Sequence, residues 1–345
     1  MPAQNGSNSL RTMRKRRLLR WLGGAVVVMG LLVMLAWNHW VRARLPSMPT
    51  LGGMLSEETL EFGGRQRSHL LYLPARRADK PPLVLVLHGS TSNAAEMREY
   101  TAWEFEALAD VQGFVVAYPN GVDRVWNDCV ASNHPEEEDP TAAPIDDVGY
   151  LLRLIAHLQR TEGIDPARVF AMGYSNGAGI AMRVAMEAPG HLHGIGAVAT
   201  TLPKEADMHC KDGLQAIPFL LMSGTADPFV SYDDGTITMF GMEVGVARPP
   251  RQALARFLDV AGYGFEPVKE TVPDTVANDG GTVERLTWRA DGGPEIVHYV
   301  VHGGGHNIPH PTLRFGRIVG PTNGDINAPR EIWSFFSRIG KAGGE

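Results

Sequence analysis

The stretch that decides the fold runs Arg168-Val-Phe-Ala-Met-Gly173-Tyr174-Ser175-Asn176-Gly177, after which a helical pattern continues to Glu187. A serine on a sharp turn between a buried strand and a helix is forced outward, and glycines on either side let neighbouring backbone approach without a Cβ clash. The helix N-terminus behind it favours negative charge on an oxyanion. This placement predicts that Ser175 is a nucleophile, and the alternative is an ordinary turn serine.

Short apolar segments alternate with helical stretches on both sides of Ser175. The patterns predict a hairpin at 59–62 and 68–73, strands at 82–87, 114–118, 168–172, 194–200, 218–222 and 295–301, and helices at 96–111, 146–161, 177–187, 249–261 and 328–339. Asp146 or Asp147 is expected to cap the second of these helices. Such alternation implies an α/β fold, with a mostly parallel central sheet, helices on both faces, and ligands at the carboxyl ends of the strands.

A serine nucleophile needs a histidine base and an acid that holds the histidine tautomer, and on this fold the order is serine, acid, histidine. Asp227 follows the strand 218–222 in a loop at a carboxyl end, so it is the leading candidate for the acid. Asp233 and Asp234 are the alternatives, in a segment typical of a turn.

Four histidines recur at every fourth position, which on a helix would form a metal ladder: His298, His302, His306 and His310. β-branched residues around the first two and three glycines before the third exclude a helix. His306 lies in a loop beyond the strand end and is the leading candidate for the base, with His310 second. No other cluster has zinc spacing, so we expect neither a metal nor an organic cofactor.

An acyl-transfer site also needs two backbone N–H groups that stabilise the developing oxyanion. The amide of Asn176, directly after the nucleophile, is expected to supply one of them. The other is expected from Ser90, in the His88-Gly-Ser90 loop that follows the strand 82–87.

A basic leader precedes an acidic body. Residues 1–45 carry eight Lys or Arg side chains and no acid, so 24 bases and 38 acids remain in residues 46–345, a net charge of −14. This acidic body argues against a nucleic-acid partner, which needs clustered bases.

An uncharged apolar run with tryptophans at its ends, residues 21–37, approaches the length of a membrane span. The bases before it favour a cytoplasmic N-terminus and an exported body on the periplasmic or extracellular face. The alternative is a cleaved signal peptide and a secreted enzyme. We therefore predict a cytoplasmic segment at 1–17, a transmembrane signal anchor at 18–41, a linker at 42–55 and one α/β domain at 56–341.

The two cysteines, Cys129 and Cys210, both lie in the body that is expected to be exported. An oxidising compartment permits a disulfide between them. Two unpaired buried thiols are an equal alternative.

Seven motifs occur in a fixed order: Leu87-His-Gly-Ser90, Tyr118-Pro-Asn-Gly121, Trp126-Asn127, Asp146-Asp-Val-Gly149, Gly173-Tyr-Ser-Asn-Gly177, Gly224-Thr-Ala-Asp227 and Gly303-Gly-Gly-His306. Together they resemble the esterase family that includes polyhydroxybutyrate-depolymerase-like proteins and feruloyl and acetylxylan esterases, over about residues 56–340. The resemblance implies an α/β-hydrolase fold and an exported serine esterase with Ser175, Asp227 and His306 as its triad.

The sequence departs from this family pattern at Ile308, where the family usually carries tryptophan two residues after the histidine. We expect the acyl or alcohol pocket to be reshaped there. Trp126 and Tyr174 are further candidates for substrate binding, with a core position as the alternative for Trp126.

The predicted activity is hydrolysis of carboxylic esters through an acyl-enzyme, on a small ester or an esterified saccharide. No granule-binding module follows the α/β domain, which favours soluble short or aromatic esters over an insoluble polyester. A serine peptidase on the same fold and a membrane-anchored, non-catalytic binding protein are the alternatives.

Overall fold

A ten-stranded sheet organises the chain, of which the computed structural model describes residues 28–130, 145–239 and 241–339. The strands are β1 (Met54–Phe62), β2 (Arg65–Leu73), β3 (Leu83–Leu87), β4 (Val115–Pro119), β5 (Val169–Tyr174), β6 (Ile195–Val198), β7 (Phe219–Gly224), β8 (Thr236–Met239), β9 (Met242–Val246), β10 (Val268–Val272), β11 (Thr282–Trp288) and β12 (Ile296–His302). The helices are α1 (28–40), α2 (Ala94–Tyr100), α3 (Glu104–Gln112), α4 (Asp147–Thr161), α5 (Asn176–Glu187), α6 (Pro250–Val260) and α7 (Ala328–Ile339).

The large sheet has the strand order β1-β2-β4-β3-β5-β6-β7-β12-β11-β10, and β8 and β9 form a separate hairpin. The six central strands, β4 to β12 in this order, pair in parallel, and antiparallel strands extend the sheet at both ends. Every residue of β3, β5 and β7 is buried, as expected for parallel strands covered on both faces. The prediction of a mostly parallel central sheet is confirmed.

Helices cover both faces of this sheet. On one face α4, α5 and α6 bury apolar side chains such as Leu154, Ile180 and Phe257 against the strands. On the other face α2, α3 and α7 do the same, with Met97 and Phe336 among the buried residues. Because both faces are covered, the carboxyl ends of the parallel strands are the part of the sheet left open for a site.

The prediction of one helix at 96–111 is wrong, because α2 and α3 are separate. Ala102 and Trp103 have φ angles of 52° and 56°, which a helix cannot accommodate. The hydroxyl of Thr101 donates to the carbonyls of Met97 and Arg98, and these bonds satisfy the end of α2. The apolar spacing typical of a helix continues before and after residues 101–103, so the sequence pattern does not reveal this break.

Four strands, β8 to β11, were not expected from the sequence. Val268-Lys-Glu-Thr-Val272 is exposed except at its last residue, and β9 is exposed along its whole length. Neither strand carries the continuous apolar run that marked the central strands. Edge position explains the polarity of β10, which has one neighbour in the sheet.

The predicted segment 1–17 and the first part of the predicted span 18–41 lie outside the described residues. Of that span, α1 exposes a series of apolar side chains, including Leu32, Val33 and Trp37. Within the described ranges, no helix has both the length and the apolar character that a membrane crossing requires. After α1 the chain returns to the sheet domain, where Arg44 and Arg314 exchange backbone hydrogen bonds of 2.7 and 3.1 Å.

A disulfide joins Cys129 and Cys210, which confirms the pairing considered from the sequence. Next to it, Val130 and Met208 form an isolated β-bridge.

The sequence left open whether Asp146 or Asp147 caps α4. Asp146 is the N-cap, and its carboxylate accepts the N–H of Gly149 at 2.7 Å.

Candidate active site

Ser175 occupies the turn between β5 and α5 in a backbone conformation of φ 53° and ψ −122°. A non-glycine residue rarely adopts this conformation, and it persists only where the surroundings impose it. Here the backbone packs closely on both sides of Ser175, at Gly173 and Gly177. A Cβ on Gly173 would lie 2.3 Å from the carbonyl oxygen of Gly177, and a Cβ on Gly177 would lie 2.3 Å from that of Leu87. The turn therefore requires glycine at both positions.

The structure brings Ser175, His306 and Asp227 together from three separate loops. Nε2 of His306 lies 2.9 Å from Oγ of Ser175, and Nδ1 of His306 lies 2.7 Å from Oδ2 of Asp227. The side chains of His306 and Asp227 are only 8% and 4% exposed. In a site this dry, the charge of the carboxylate acts on the imidazole with little screening.

The carboxylate of Asp227 is oriented by its own loop. Its Oδ1 accepts the backbone N–H groups of Phe229 and Val230 at 2.8 and 2.9 Å, which leaves Oδ2 for the histidine. The two alternative acids, Asp233 and Asp234, are exposed in the turn before β8.

The ring and backbone of His306 are fixed by contacts from several elements. Its N–H donates to the carbonyl of Val319 at 2.7 Å, and its carbonyl accepts the hydroxyl of Tyr174 at 2.7 Å. The edge of Phe229 packs on the ring, with 5.2 Å between ring centroids. Tyr174 thus joins the strand that carries the serine to the loop that carries the histidine.

The other candidate base, His310, is used in the structure of its own loop. Its Nδ1 accepts the backbone N–H of Leu313 at 3.0 Å, and its Nε2 lies 3.5 Å from a carboxylate oxygen of Glu104. It has no contact with Ser175 among the described residues.

The backbone amides of Ser90 and Asn176 belong to the two loops next to the Ser175 side chain. Neither N–H donates to another group in the part of the chain that the structure describes. Ser90 lines the same cavity as Ser175 and His306. Backbone N–H groups without an internal partner are the kind of donor that stabilises a tetrahedral intermediate.

The side chain of Asn176 fixes the neighbouring loop, a role that the sequence pattern did not reveal. Its Oδ1 accepts the N–H of Trp126 at 2.7 Å, and its Nδ2 donates to the carbonyl of Trp126 at 2.9 Å and to Asp128 at 2.8 Å. A side-chain amide that pairs with a backbone amide in this way holds residues 126–128 against the start of α5.

Trp126 is fully buried and does not line the cavity; its indole N–H donates to the carbonyl of His88 at 2.9 Å. His88 in turn accepts the N–H of Gly121 at Nε2, at 3.0 Å, and contacts the carbonyl of Gly89 through Nδ1. Burial lowers the pKa of His88 to about 4, so this imidazole is neutral. Trp126 and His88 together support the loop that presents Ser90.

Ile308, the second candidate for substrate binding, is also fully buried and belongs to the core cluster on the α7 face of the sheet. Neither Trp126 nor Ile308 is among the residues that line the cavity. Tyr174, the third candidate, does line the cavity.

The cavity in front of Ser175 has a volume of about 480 Å³. Most of its lining is apolar or aromatic: Tyr100, Phe229, Val230, Ile237, Phe315 and Ile318. Val41 and Ala43, from the segment directly after α1, complete the wall. The sequence gave no indication that these two residues line a pocket. Val41 ends the predicted membrane anchor, and Ala43 lies in the predicted linker.

A buried ion pair between β2 and α4 supports a loop near the site. Arg67 donates to Asp147 at 2.6 Å, and the second oxygen of Asp147 accepts the N–H of Asn127 at 2.7 Å. The guanidinium also lies 3.9 Å from the ring centroid of Tyr150. Burial raises the pKa of Asp147, and the charge of Arg67 opposes that rise. This aspartate is therefore a support of the 120–127 loop.

The fold and the half-buried serine on a strand-to-helix turn define an α/β hydrolase. Residues 67–234 match the profile of the family described as esterase PHB depolymerase. NocK of Nocardia uniformis subsp. tsuyamanensis, a protein named as an esterase, is 30% identical over 289 residues, which cover 81% of each chain. Feruloyl esterase D of Neurospora crassa is 25% identical over 294 residues, 81% of this chain and 85% of that protein.

Among solved structures, an acetyl xylan esterase from Aspergillus awamori superposes with a TM-score of 0.51 and 16% identity, covering 74% of this chain and 95% of that one. This likeness shows the fold. The chain belongs to the PHB-depolymerase-type esterase family of α/β hydrolases, and it is a carboxylic ester hydrolase.

Proposed function

We propose that the enzyme hydrolyses esters through a catalytic triad of Ser175, His306 and Asp227. The observation that carries this proposal is the pair of contacts on one imidazole, to Oγ of Ser175 at 2.9 Å and to Oδ2 of Asp227 at 2.7 Å. A base within hydrogen-bond reach of the nucleophile, itself oriented by a carboxylate, is the arrangement that activates a serine hydroxyl.

In the first half-reaction, His306 takes the proton of Ser175 as Oγ attacks the ester carbonyl. The N–H groups of Ser90 and Asn176 stabilise the oxyanion, and Asp227 stabilises the imidazolium that forms. His306 then protonates the leaving alcohol. In the second half-reaction the same imidazole activates water, which releases the acid and restores Ser175.

Replacement of the nucleophile tests this proposal. Ser175→Ala is expected to lower kcat for p-nitrophenyl acetate by at least about 10³-fold, since the covalent route is lost, while the melting temperature stays nearly unchanged. Ser223→Ala is the matched control, because Ser223 is a buried serine whose hydroxyl has no partner among the described residues. Retained turnover in the Ser175 variant would exclude the triad.

The proposed substrates are esters of short or aromatic acids, including acetyl or hydroxycinnamoyl groups on sugars. The volume of about 480 Å³ suits a ligand of modest size, and aromatic walls such as Phe229 and Phe315 suit a planar acyl group. The names of the relatives, a feruloyl esterase and an acetyl xylan esterase, agree with both options. A profile of kcat/KM over acyl chain length and methyl hydroxycinnamates distinguishes them, and activity confined to long-chain esters would contradict the proposal.

We further propose that the enzyme is exported and held by the apolar segment 18–41. The disulfide supports an oxidising compartment, and the eight bases in residues 1–45 support a cytoplasmic N-terminus. The test is fractionation of cells that express the full chain. Recovery of the enzyme in the carbonate-washed membrane fraction, with the body accessible to protease from outside, is the expected result; recovery in the cytosol would contradict it.

A further inference from the structure

A second cavity, of about 550 Å³, lies next to the ester pocket where the segment after α1 crosses residues 314–317. Four arginines and one histidine line it: Arg42, Arg44, Arg314, Arg317 and His39. Phe315 lines both cavities, so they are neighbours, and the other lining residues of the two cavities differ. Residues 39–44 thus contribute basic side chains to one cavity and Val41 and Ala43 to the other.

Several arginines elsewhere in the domain form ion pairs with carboxylates. Arg98, Arg168 and Arg285 each pair with a carboxylate. Across the described residues, none of the four arginines of the second cavity does. Four like charges gathered around one cavity repel one another, and a bound anion would reduce that repulsion.

Asp279 is the acidic residue in the lining, and its carboxylate is already occupied. Oδ1 accepts the N–H of Gly281 at 3.0 Å, and Oδ2 accepts the N–H of Gly324 at 2.6 Å. It therefore holds the backbone of the cavity wall, and its single negative charge leaves the four arginines of the lining with an excess of positive charge.

Two of the arginines are held in place by the protein. Nη1 of Arg314 donates to the carbonyls of His310 and Leu313, each at 2.8 Å, and Nη1 of Arg317 donates to Nε2 of His39 at 3.0 Å. Each guanidinium keeps further N–H donors for a ligand. Donors that are oriented before binding lose less conformational entropy when a ligand arrives.

We propose that this cavity binds the phosphate group of an organic phosphate. A phosphate group offers several acceptor oxygens and up to two negative charges. It therefore pairs with several guanidinium groups at once better than a single carboxylate does. The volume exceeds that of inorganic phosphate and leaves room for an attached polar group. The phosphate comes from a phospholipid headgroup or from a soluble phosphate ester.

The test compares two double variants of the full chain in detergent, Arg42→Gln/Arg317→Gln and the control Arg65→Gln/Arg289→Gln. The control removes the same charge from exposed positions outside the cavity. Binding of glycerol 3-phosphate is measured by calorimetry in phosphate-free, low-salt buffer. The first variant is expected to bind at least about tenfold more weakly than the wild type, and the control within about twofold.

The lipid source is tested with the same three proteins in nanodiscs of digalactosyldiacylglycerol, which carries no phosphate, with or without phosphatidylglycerol. A rise in melting temperature with phosphatidylglycerol that is lost only in Arg42→Gln/Arg317→Gln supports a headgroup, whereas binding of glycerol 3-phosphate alone supports a soluble ligand. Unchanged hydrolysis of p-nitrophenyl acetate shows that each variant is folded. Equal loss in both variants, or no response to either probe, would overturn the proposal.

Discussion

Ser175 and Asp227 are held by different means at the scale of the single residue. Ser175 is forced into its φ of 53° by close backbone approaches at two glycines. Asp227 is held by two N–H groups on one oxygen, which directs the other oxygen at the imidazole. The orientation of Ser175 and Asp227 thus rests on backbone contacts, which a conservative change of the Asp227 side chain leaves intact.

Asp227→Asn is expected to lower kcat for p-nitrophenyl acetate by about 10³- to 10⁴-fold with little change in stability. The amide is nearly the same shape but carries no charge to stabilise the imidazolium, and its N–H₂ end favours the wrong histidine tautomer. Steady-state kinetics on the purified variant checks this expectation. Asp233→Asn is the matched control, because Asp233 is exposed in the nearby turn. Comparable losses in the two variants would contradict the assignment of the acid.

Site residues whose position follows from the neighbouring sequence pattern could be predicted. Site residues that are brought to a cavity only by long-range packing could not. Ser175 follows a strand and precedes a helix, and His306 follows a strand, so local signals place both at the carboxyl edge of the sheet. Val41 and Arg317 lie far apart in sequence, and only the crossing of two irregular segments makes them pocket residues. Trp126 was a candidate for the pocket because aromatic character does not distinguish a wall from a core, and Ile308 because it stands where the resembling family usually carries tryptophan; both are buried.

At the scale of the element, β12 carries a buried histidine, His298. The residue is 1% exposed, its Nε2 has no hydrogen-bond partner among the described residues, and burial lowers its pKa to about 4. The sequence predicts a strand here, but the apolar and aromatic neighbours Val297 and Tyr299 leave open whether the histidine is buried. The pairing of β12 between β7 and β11 decides that it is buried.

This histidine makes stability depend on pH. Its pKa is lower in the folded state than the 6.5 of the unfolded chain, so the unfolded state binds more protons below that value. Stability is therefore lost as pH falls from about 6.5 towards 4. From pH 7 to pH 5 the contribution of one such histidine is about 2 kcal/mol.

His298→Gln should reduce the pH dependence of the unfolding free energy by that amount, as measured by urea titration at pH 7 and pH 5. His302→Gln is the control, since His302 is exposed at the end of the same strand. An unchanged pH dependence in the His298 variant would show that the imidazole is already protonated in the folded state.

At the scale of the whole molecule, the disulfide joins two loops that are distant in sequence. Cys129 follows the loop that Asn176 clamps, and Cys210 lies 81 residues further along the chain, between β6 and β7. The bond therefore connects the 126–128 loop to the segment between β6 and β7, next to the β-bridge of Val130 and Met208. Spacing alone did not decide between a bond and two thiols, because the distance between the cysteines depends on the complete topology.

Cys129→Ser/Cys210→Ser is expected to lower the free energy of unfolding by about 4 kcal/mol, because an open chain of this length has more entropy than a closed loop. Denaturant unfolding of the double variant measures the loss, and the reduced wild type should show a similar one. A loss below about 1 kcal/mol would mean that the bond does not constrain the unfolded chain.

The central claim, that Ser175 is the activated nucleophile, is tested most directly by covalent labelling. The full chain is incubated with a fluorophosphonate probe, and the modified residue is located by peptide mass spectrometry. One label per chain at Ser175 is predicted, with none in Ser175→Ala and much slower labelling in His306→Ala. A chain that stays unlabelled, or a label at another serine with Ser175 unmodified, would contradict the account.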